Sequence, residues 1–246
     1  AGVDPKYIRV PGSYTGKLNG GKKEGCTYGY SLKNISFVKQ PYNQVFERVI
    51  GEINGVCIEN LDMGRERTTA NSTCTGFIAY LDGTVRNVHM KDVYLEGMSY
   101  VGSLVCHTEN GAALIQDCSA TNVTILYKEY PNTNTTACVG GLVGCLKDSR
   151  LENCYVRNVD IEASDLSTSN GIGGVVGYAN QSTIDSAYAT GDIHGRAMSV
   201  GGIVGRVSNN AGRVILKNLI ARVNVTSNQT AVGGLVGELN ITSGPI

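Results

Sequence analysis

Apolar side chains recur along this chain in short runs that alternate with polar ones, and glycine, asparagine or aspartate punctuates the runs. A period of two predicts extended chain with one face of each strand turned inward. No stretch holds a 3.6-residue apolar period over three turns, so helices are not expected.

The runs also repeat. "VGGLVG" starts at Val139, "IGGVVG" at Ile172, "VGGIVG" at Val200 and "VGGLVG" at Val232. "VGSLVC" from Val101 is a near copy, and "TGFIAY" from Thr75 a degenerate one. A second pattern runs in step with the first: "IENL" from Ile58, "VRNV" from Val85, "IQDC" from Ile115, "LENC" from Leu151, "IDSA" from Ile184 and "LKNL" from Leu216. A third apolar stretch follows, such as "YVRNVDI" from Tyr155. Each unit reads strand, turn, strand, turn, strand, loop. A phosphate-cradling loop would occur once, between a strand and a helix. These glycine clusters precede no helix and no Gly-Lys-Ser/Thr, so they mark rungs of a repeat.

Stacked rungs place each position over its equivalent at about 4.8 Å, the spacing of paired strands. One predicted column is Phe77, Leu104, Leu142, Val175, Ile203 and Leu235. A second is Ile58, Val85, Ile115, Leu151, Ile184 and Leu216. A third is Leu61, Val88, Cys118, Cys154, Ala187 and Leu219. All are apolar or thiol, as an interior stack requires. Beside them Asn60, Asn87, Asp117, Asn153, Ser186 and Asn218 form a polar column, whose amides are expected to hydrogen-bond along the axis. The fold class is therefore all-β: a parallel β-solenoid of about six coils. Residues 1–44 read as an extended N-terminal arm with lead-in strands, and residues 45–246 as the solenoid.

These patterns resemble the GLUG motif, a short repeat named for its Gly-Leu-(any)-Gly core and found in bacterial adhesin-like surface proteins, immunoglobulin A peptidases and other secreted proteins. The resemblance covers about residues 45 to 246. "VFERVIGEINGVCIENLDM" from Val45 resembles the segment that often precedes such repeats, and "GYSLKNISF" from Gly29 the extended segment before that. The resemblance implies a right-handed β-solenoid displayed outside the cell. It implies no activity, because the repeat is a scaffold.

Composition sharpens this picture. The 246 residues carry 21 basic and 21 acidic side chains, so no global field favours nucleic acid or an anionic membrane. No apolar run approaches the roughly 20 residues of a membrane span. The chain starts at Ala1 with neither Met nor a signal-like core, as expected where a leader has been removed. Eight cysteines, mostly outside CxxC pairs, point to disulfides and an oxidising compartment. Sequons occur at Asn34, Asn71, Asn122, Asn134, Asn180, Asn224, Asn228 and Asn240, and all eight are candidate N-glycan acceptors. Cysteines and sequons together suggest a eukaryotic secretory route.

The predicted column places Cys118 over Cys154, within disulfide range. Cys106 and Cys145 lie near matching corners and form a second expected bridge. Cys26, Cys57, Cys74 and Cys138 are expected to pair in an order the sequence leaves open.

No catalytic, metal or cofactor site is expected. His89, His107 and His194 fall outside any HExxH pattern and read as surface or loop residues. Asp117, Asp160, Asp185 and Asp192 are the carboxylates to weigh for a polysaccharide lyase or hydrolase. Their repeat positions differ, and stacked carboxylates would repel.

The expected role is a structural extracellular glycoprotein. After Val232 the chain supplies the first strand of a new coil, and no amphipathic cap follows before Ile246. Tyr7, Ile8 and Val10 lie on a β-prone run between prolines, with Gly12 to Gly25 reading as loop. The run is expected to reach Val232, Leu235 and Val236 of a neighbouring copy, giving a head-to-tail fibre. If the 246 residues are a piece of a longer surface protein, its own chain covers that edge instead. The rival reading is an adhesin whose loops near Tyr127–Tyr130 and Asp165–Ser169 bind carbohydrate or host protein.

Overall fold

The computed structural model describes residues 9–21, 31–37, 43–64, 73–111, 113–128, 137–163, 169–196, 199–209, 213–228 and 231–241. Each coil uses up to three rows of strand: a front row, a return row, and a long row bent in the middle. The first coil holds β1 (Val10–Tyr14), β2 (Lys17–Asn19) and β3 (Ser31–Ser36). The second holds β4 (Gln44–Val49), β5 (Glu52–Asn54) and β6 (Cys57–Met63). In the third, β7 (Cys74–Leu81) spans both front and return rows, followed by β8 (Thr84–Arg86) and β9 (His89–Gly97). The fourth is β10 (Tyr100–Gly102), β11 (Val105–Thr108), β12 (Leu114–Gln116) and β13 (Ser119–Tyr127).

From there the long row is a single strand per coil. The chain runs through β14 (Ala137–Gly140), β15 (Val143–Lys147) and β16 (Arg150–Ala163), then β17 (Ser169–Gly173), β18 (Val176–Asn180) and β19 (Thr183–Gly195). It continues with β20 (Ser199–Gly201), β21 (Val204–Asn209) and β22 (Ile215–Thr226), and ends on β23 (Ala231–Gly233) and β24 (Val236–Ile241). Each strand pairs in parallel with its equivalent one coil away, as in Val105↔Val143 and Val143↔Val176. The front row has six strands, so the chain is an all-β solenoid of about six turns, led by two coils with no front-row strand among the described residues.

The core is the stack of inward residues. Phe77, Leu104, Leu142, Val175 and Ile203 follow one another in register, each fully buried. The third predicted column holds from Val88 through Cys118 and Cys154 to Ala187 and Leu219.

Two expected columns are corrected at the second coil. Val85 stacks on Ile53, and Ile58 stacks on Met90. Leu61 likewise stacks on Val93, whereas Val56 lies beneath His89 in the turn before β9. The physical reason is that the long row bends twice per coil, five residues apart, and either bend reads apolar-x-Asn-apolar. At the second coil the first bend is "INGV", where Gly55 takes the positive φ that asparagine takes elsewhere.

The arm also differs from expectation. β1 and β2 form within the stretch read as arm and loop, and Val10 pairs with Phe46 of its own chain. β1, β2 and β3 thus stack directly under the second coil. Tyr7 and Ile8 lie outside the described residues.

Candidate functional site

Three surfaces carry the chemistry: the outer bends of the long row, the seam between front and return rows, and the edge of the last described coil.

At each outer bend a residue with positive φ interrupts the alternation. In β16, Leu151 and Cys154 are both buried with Asn153 (φ 53°) between them, and Val156 and Val159 are both buried around Asn158 (φ 52°). Asparagine and aspartate tolerate this left-handed conformation best after glycine. The first bend forms the ladder Asn87, Asp117, Asn153, Ser186 and Asn218, all with positive φ. In it Asn153 Nδ2 donates to Asp117 Oδ1 (2.6 Å) and Asn218 Nδ2 to Asp185 Oδ1 (2.9 Å). Lys217 and Asn218 hold the Asp185 carboxyl below its ordinary range. The second bend forms a ladder that sequence reasoning missed, Asn34, Asn60, Asp92, Asn122 and Asn158, and Asn60, expected under Asn87, is corrected to it, since Asn87 instead meets Asn54. Here Asn60 donates to Asn34 (2.8 Å), Asn122 to Asp92 (2.7 Å) and Asn158 to Asn122 (3.1 Å).

The seam explains the Val-Gly-Gly-x-Val-Gly motif. Its first and third glycines bring two backbones together with no side chain between them. A Cβ on Gly140 would overlap Val143 O and lie 2.7 Å from Gly177 N, and one on Gly144 would lie 3.0 Å from Cys138 O. The second glycine meets the next coil: a Cβ on Gly141 would overlap Gly174 O.

At the outer margin of this seam, side chains from the two rows face each other. Tyr100 stacks between Cys74 and Cys138 in the front row, and His107 between Tyr80 and Cys145 in the return row. The Tyr100 and His107 rings are 4.9 Å apart. His107 Nδ1 lies 3.6 Å from Glu109 Oε1, whose partner oxygen takes a 2.9 Å hydrogen bond from Arg48. Arg48 also pairs with Asp82 and sits 5.0 Å over the Tyr80 ring. Burial, then the neighbouring Cys138, pushes the Tyr100 hydroxyl well above its ordinary pKa.

Six cysteines here and in the core are thiols outside any disulfide: Cys74, Cys106, Cys118, Cys138, Cys145 and Cys154. Cys57 is disulfide-bonded, to a partner outside the described residues, as Cys26 is. Cys118 and Cys154 are neighbours as expected, though unbonded. The expected Cys106–Cys145 bridge is corrected. Cys106 faces Cys74 and Cys145 faces Cys138, because each thiol meets its partner across the seam instead of along the axis. Among the described residues no group of three or more His, Cys, Asp or Glu is placed to hold a metal ion.

The histidines divide. His107 is buried in the seam, contrary to a surface reading, because the return row turns it toward Tyr80 and Tyr100. His89 is half-buried against Ser119 Oγ (2.8 Å), and His194 is exposed beside Thr226. Of the carboxylates, Asp117 and Asp185 each accept from a ladder asparagine, and Asp192 accepts from Asn224, its register partner one coil on, at 2.8 Å. Asp160 stacks over Asp192 in register.

Among the sequons, Asn34, Asn122, Asn224 and Asn228 are exposed and Asn240 is half-buried. Asn180, a candidate acceptor, is instead buried (4%), with Nδ2 donating to Ser208 Oγ (2.6 Å) of the next return strand. Asn71 and Asn134 lie outside the described residues. Tyr127, expected on a binding loop, is in the core. The rest of both proposed loops, residues 128–130 and 165–169, is largely outside the described residues. A shallow groove of about 440 Å³ lies where the long row ends, lined by Glu162, His194, Arg196, Thr226 and Asn228.

At the last described coil the core columns reach the surface. Val232, Leu235 and Leu239 continue columns that are buried in earlier coils, yet they are 46%, 44% and 53% exposed. Val236 is half-buried.

This is the architecture of a β-solenoid repeat scaffold. The GLUG motif model matches three segments, residues 97–126, 135–162 and 168–193. These matches and the stacked parallel coils both fit a GLUG-repeat β-solenoid. Repeats of this kind in a solenoid suggest a surface or adhesin-like repeat protein. No curated protein matches the chain.

Proposed function

We propose that this chain is a structural extracellular glycoprotein that stacks head to tail with copies of itself in a fibre or surface coat. The observation that carries the reading is the exposed apolar edge. Val232, Leu235 and Leu239 present the same columns that every earlier coil buries against its successor. A second copy supplies the matching surface. Its β1 belongs to the return row, as β24 does, and its β2 and β3 belong to the long row, as β22 does. Stacking β1 on β24 continues the return row across the junction and removes an unpaired edge. Val10 contributes from β1 in this arrangement, as part of an edge strand.

Secretion and N-glycans belong to the same proposal. The bonded Cys57 suits an oxidising compartment, and four exposed sequon asparagines project from outer bends and the last long strand. We assign no catalytic role. Asp117 and Asp185 are spoken for by the ladder and Asp192 by Asn224, which accounts for them as structural groups. The adhesin reading loses Tyr127, which is a core residue.

Sedimentation velocity of the chain tests the stacking. Concentration-dependent polymers that Leu235→Lys abolishes, with the circular dichroism unchanged, support it. A monomer at every concentration overturns it. Intact mass before and after enzymatic removal of N-glycans, on the secreted chain, tests glycosylation separately.

A further inference from the structure

The six unbridged thiols stand as three neighbouring pairs in three different settings. Cys118 and Cys154 occupy equivalent positions in adjacent long strands, between the register pairs Gln116↔Glu152 and Ser119↔Tyr155. Their Sγ atoms point the same way. Cys118 lies 3.1 Å from Gln116 O and 3.7 Å from Val85 O, and Cys154 lies 3.2 Å from Glu152 O and 3.8 Å from Ile115 O.

Cys74 and Cys106 cluster with Ala79 under Tyr80 and Tyr100. Cys74 Sγ lies 4.0 Å from the carbonyl of Ala79, the residue between Ile78 and Tyr80, which pair with Val105 and His107 on either side of Cys106. Cys138 and Cys145 stand one coil beyond Tyr100 and His107 in the same two rows, so they face each other as those rings do.

We propose that these pairs close as the disulfides Cys74–Cys106, Cys118–Cys154 and Cys138–Cys145 by exchange with a small-molecule disulfide of the glutathione type. One cysteine thiolate attacks the reagent's S–S bond, forming a mixed disulfide and releasing one small thiolate. The partner thiolate then attacks the protein sulfur of that mixed disulfide and releases the second. Two protein thiols are oxidised, one reagent disulfide is reduced, and the two protons end on the two small thiols.

The chemistry has a preferred order. The thiol hydrogen bond from Cys106 draws the Cys74 pKa down, while burial and then Cys74 push Cys106 up. Cys74 is also the less buried of the two, 3% against 0% exposed, so it is the first to meet the reagent. The three bonds would tie the third coil to the fourth, the fourth to the fifth, and the front row of the fifth to its own return row. No cysteine follows Cys154, so the covalent spine stops there. The assignment rests on strand register and is independent of head-to-tail stacking.

The full chain, reduced and then oxidised in a glutathione redox buffer, is quenched with N-ethylmaleimide, digested and mapped by mass spectrometry without reduction. The three named cross-linked peptide pairs are expected, each lost on reduction. Maleimide on all six cysteines, or links in another order such as Cys106–Cys145, overturns the assignment. A Cys118→Ser chain should leave Cys154 labelled and the other two links intact. Rearrangement of those links would also overturn it.

Discussion

Asn153 holds three roles in one side chain. It takes a positive φ, turns the long strand so that Leu151 and Cys154 both face inward, and donates to Asp117 one coil back. Asn153→Ala keeps none of these without strain and should cost about 2 kcal/mol in urea unfolding, from backbone strain and a lost hydrogen bond. Asn153→Gly relieves the strain alone and should cost about half as much. Asp185 shows the electrostatic side of the same ladder. Its folded pKa lies below the ordinary carboxylate value because of Lys217 and Asn218, so its contribution is present at neutral pH and is lost as pH falls through that folded pKa. Asp185→Asn should therefore lower Tm at neutral pH, and the difference from the parent should vanish in acid. One of these two ladders was legible in the sequence because its asparagines recur beside the apolar columns. The other hid because its residues sit five positions further on, where no glycine motif marks the phase, and that same ambiguity put Ile58 where Ile53 belongs.

At the level of elements, the front and return rows are held by absence of side chains. Gly140→Ala would drive a methyl group into Val143 O and toward Gly177 N, both backbone atoms that cannot rotate away. It should destabilise by about 3 kcal/mol or more. Gly234→Ala, at the equivalent of Gly141 on the open edge, meets nothing within 4 Å and should be neutral to about 0.5 kcal/mol. Comparing the two in urea separates a packing requirement from a conformational one, since neither glycine has positive φ. The glycine rows were readable from the repeat, but the consequence for the thiols was not. A column argument sees neighbours along the axis, and Cys106 and Cys145 find theirs across the seam. The first coil was missed for a different reason. Pro11 and Gly12 break the alternation of β1, and the strand is possible because an edge strand needs no donor from the proline nitrogen. Its register with β4 slips between Val10 and Ser13 for the same cause.

As a whole molecule the chain is close to one-dimensional: each coil rests on its two neighbours, and the same columns run from end to end. The fold class was legible because repetition multiplies a weak signal. One strand of alternating residues says little, whereas in-phase copies define a stack. The candidate surfaces were less legible because they depend on which side of a strand a residue faces, as His107 and Asn180 show. The central claim is that the stack continues from one copy to the next. The return row contains eight strands, β1 to β24, which at about 4.8 Å each give a subunit length of about 38 Å. Cryo-electron microscopy of the native material should show fibres with that axial repeat and, in the return row, an unbroken strand spacing of about 4.8 Å through every junction. Dispersed single particles, or fibres whose return-row ladder is interrupted between subunits, would contradict it.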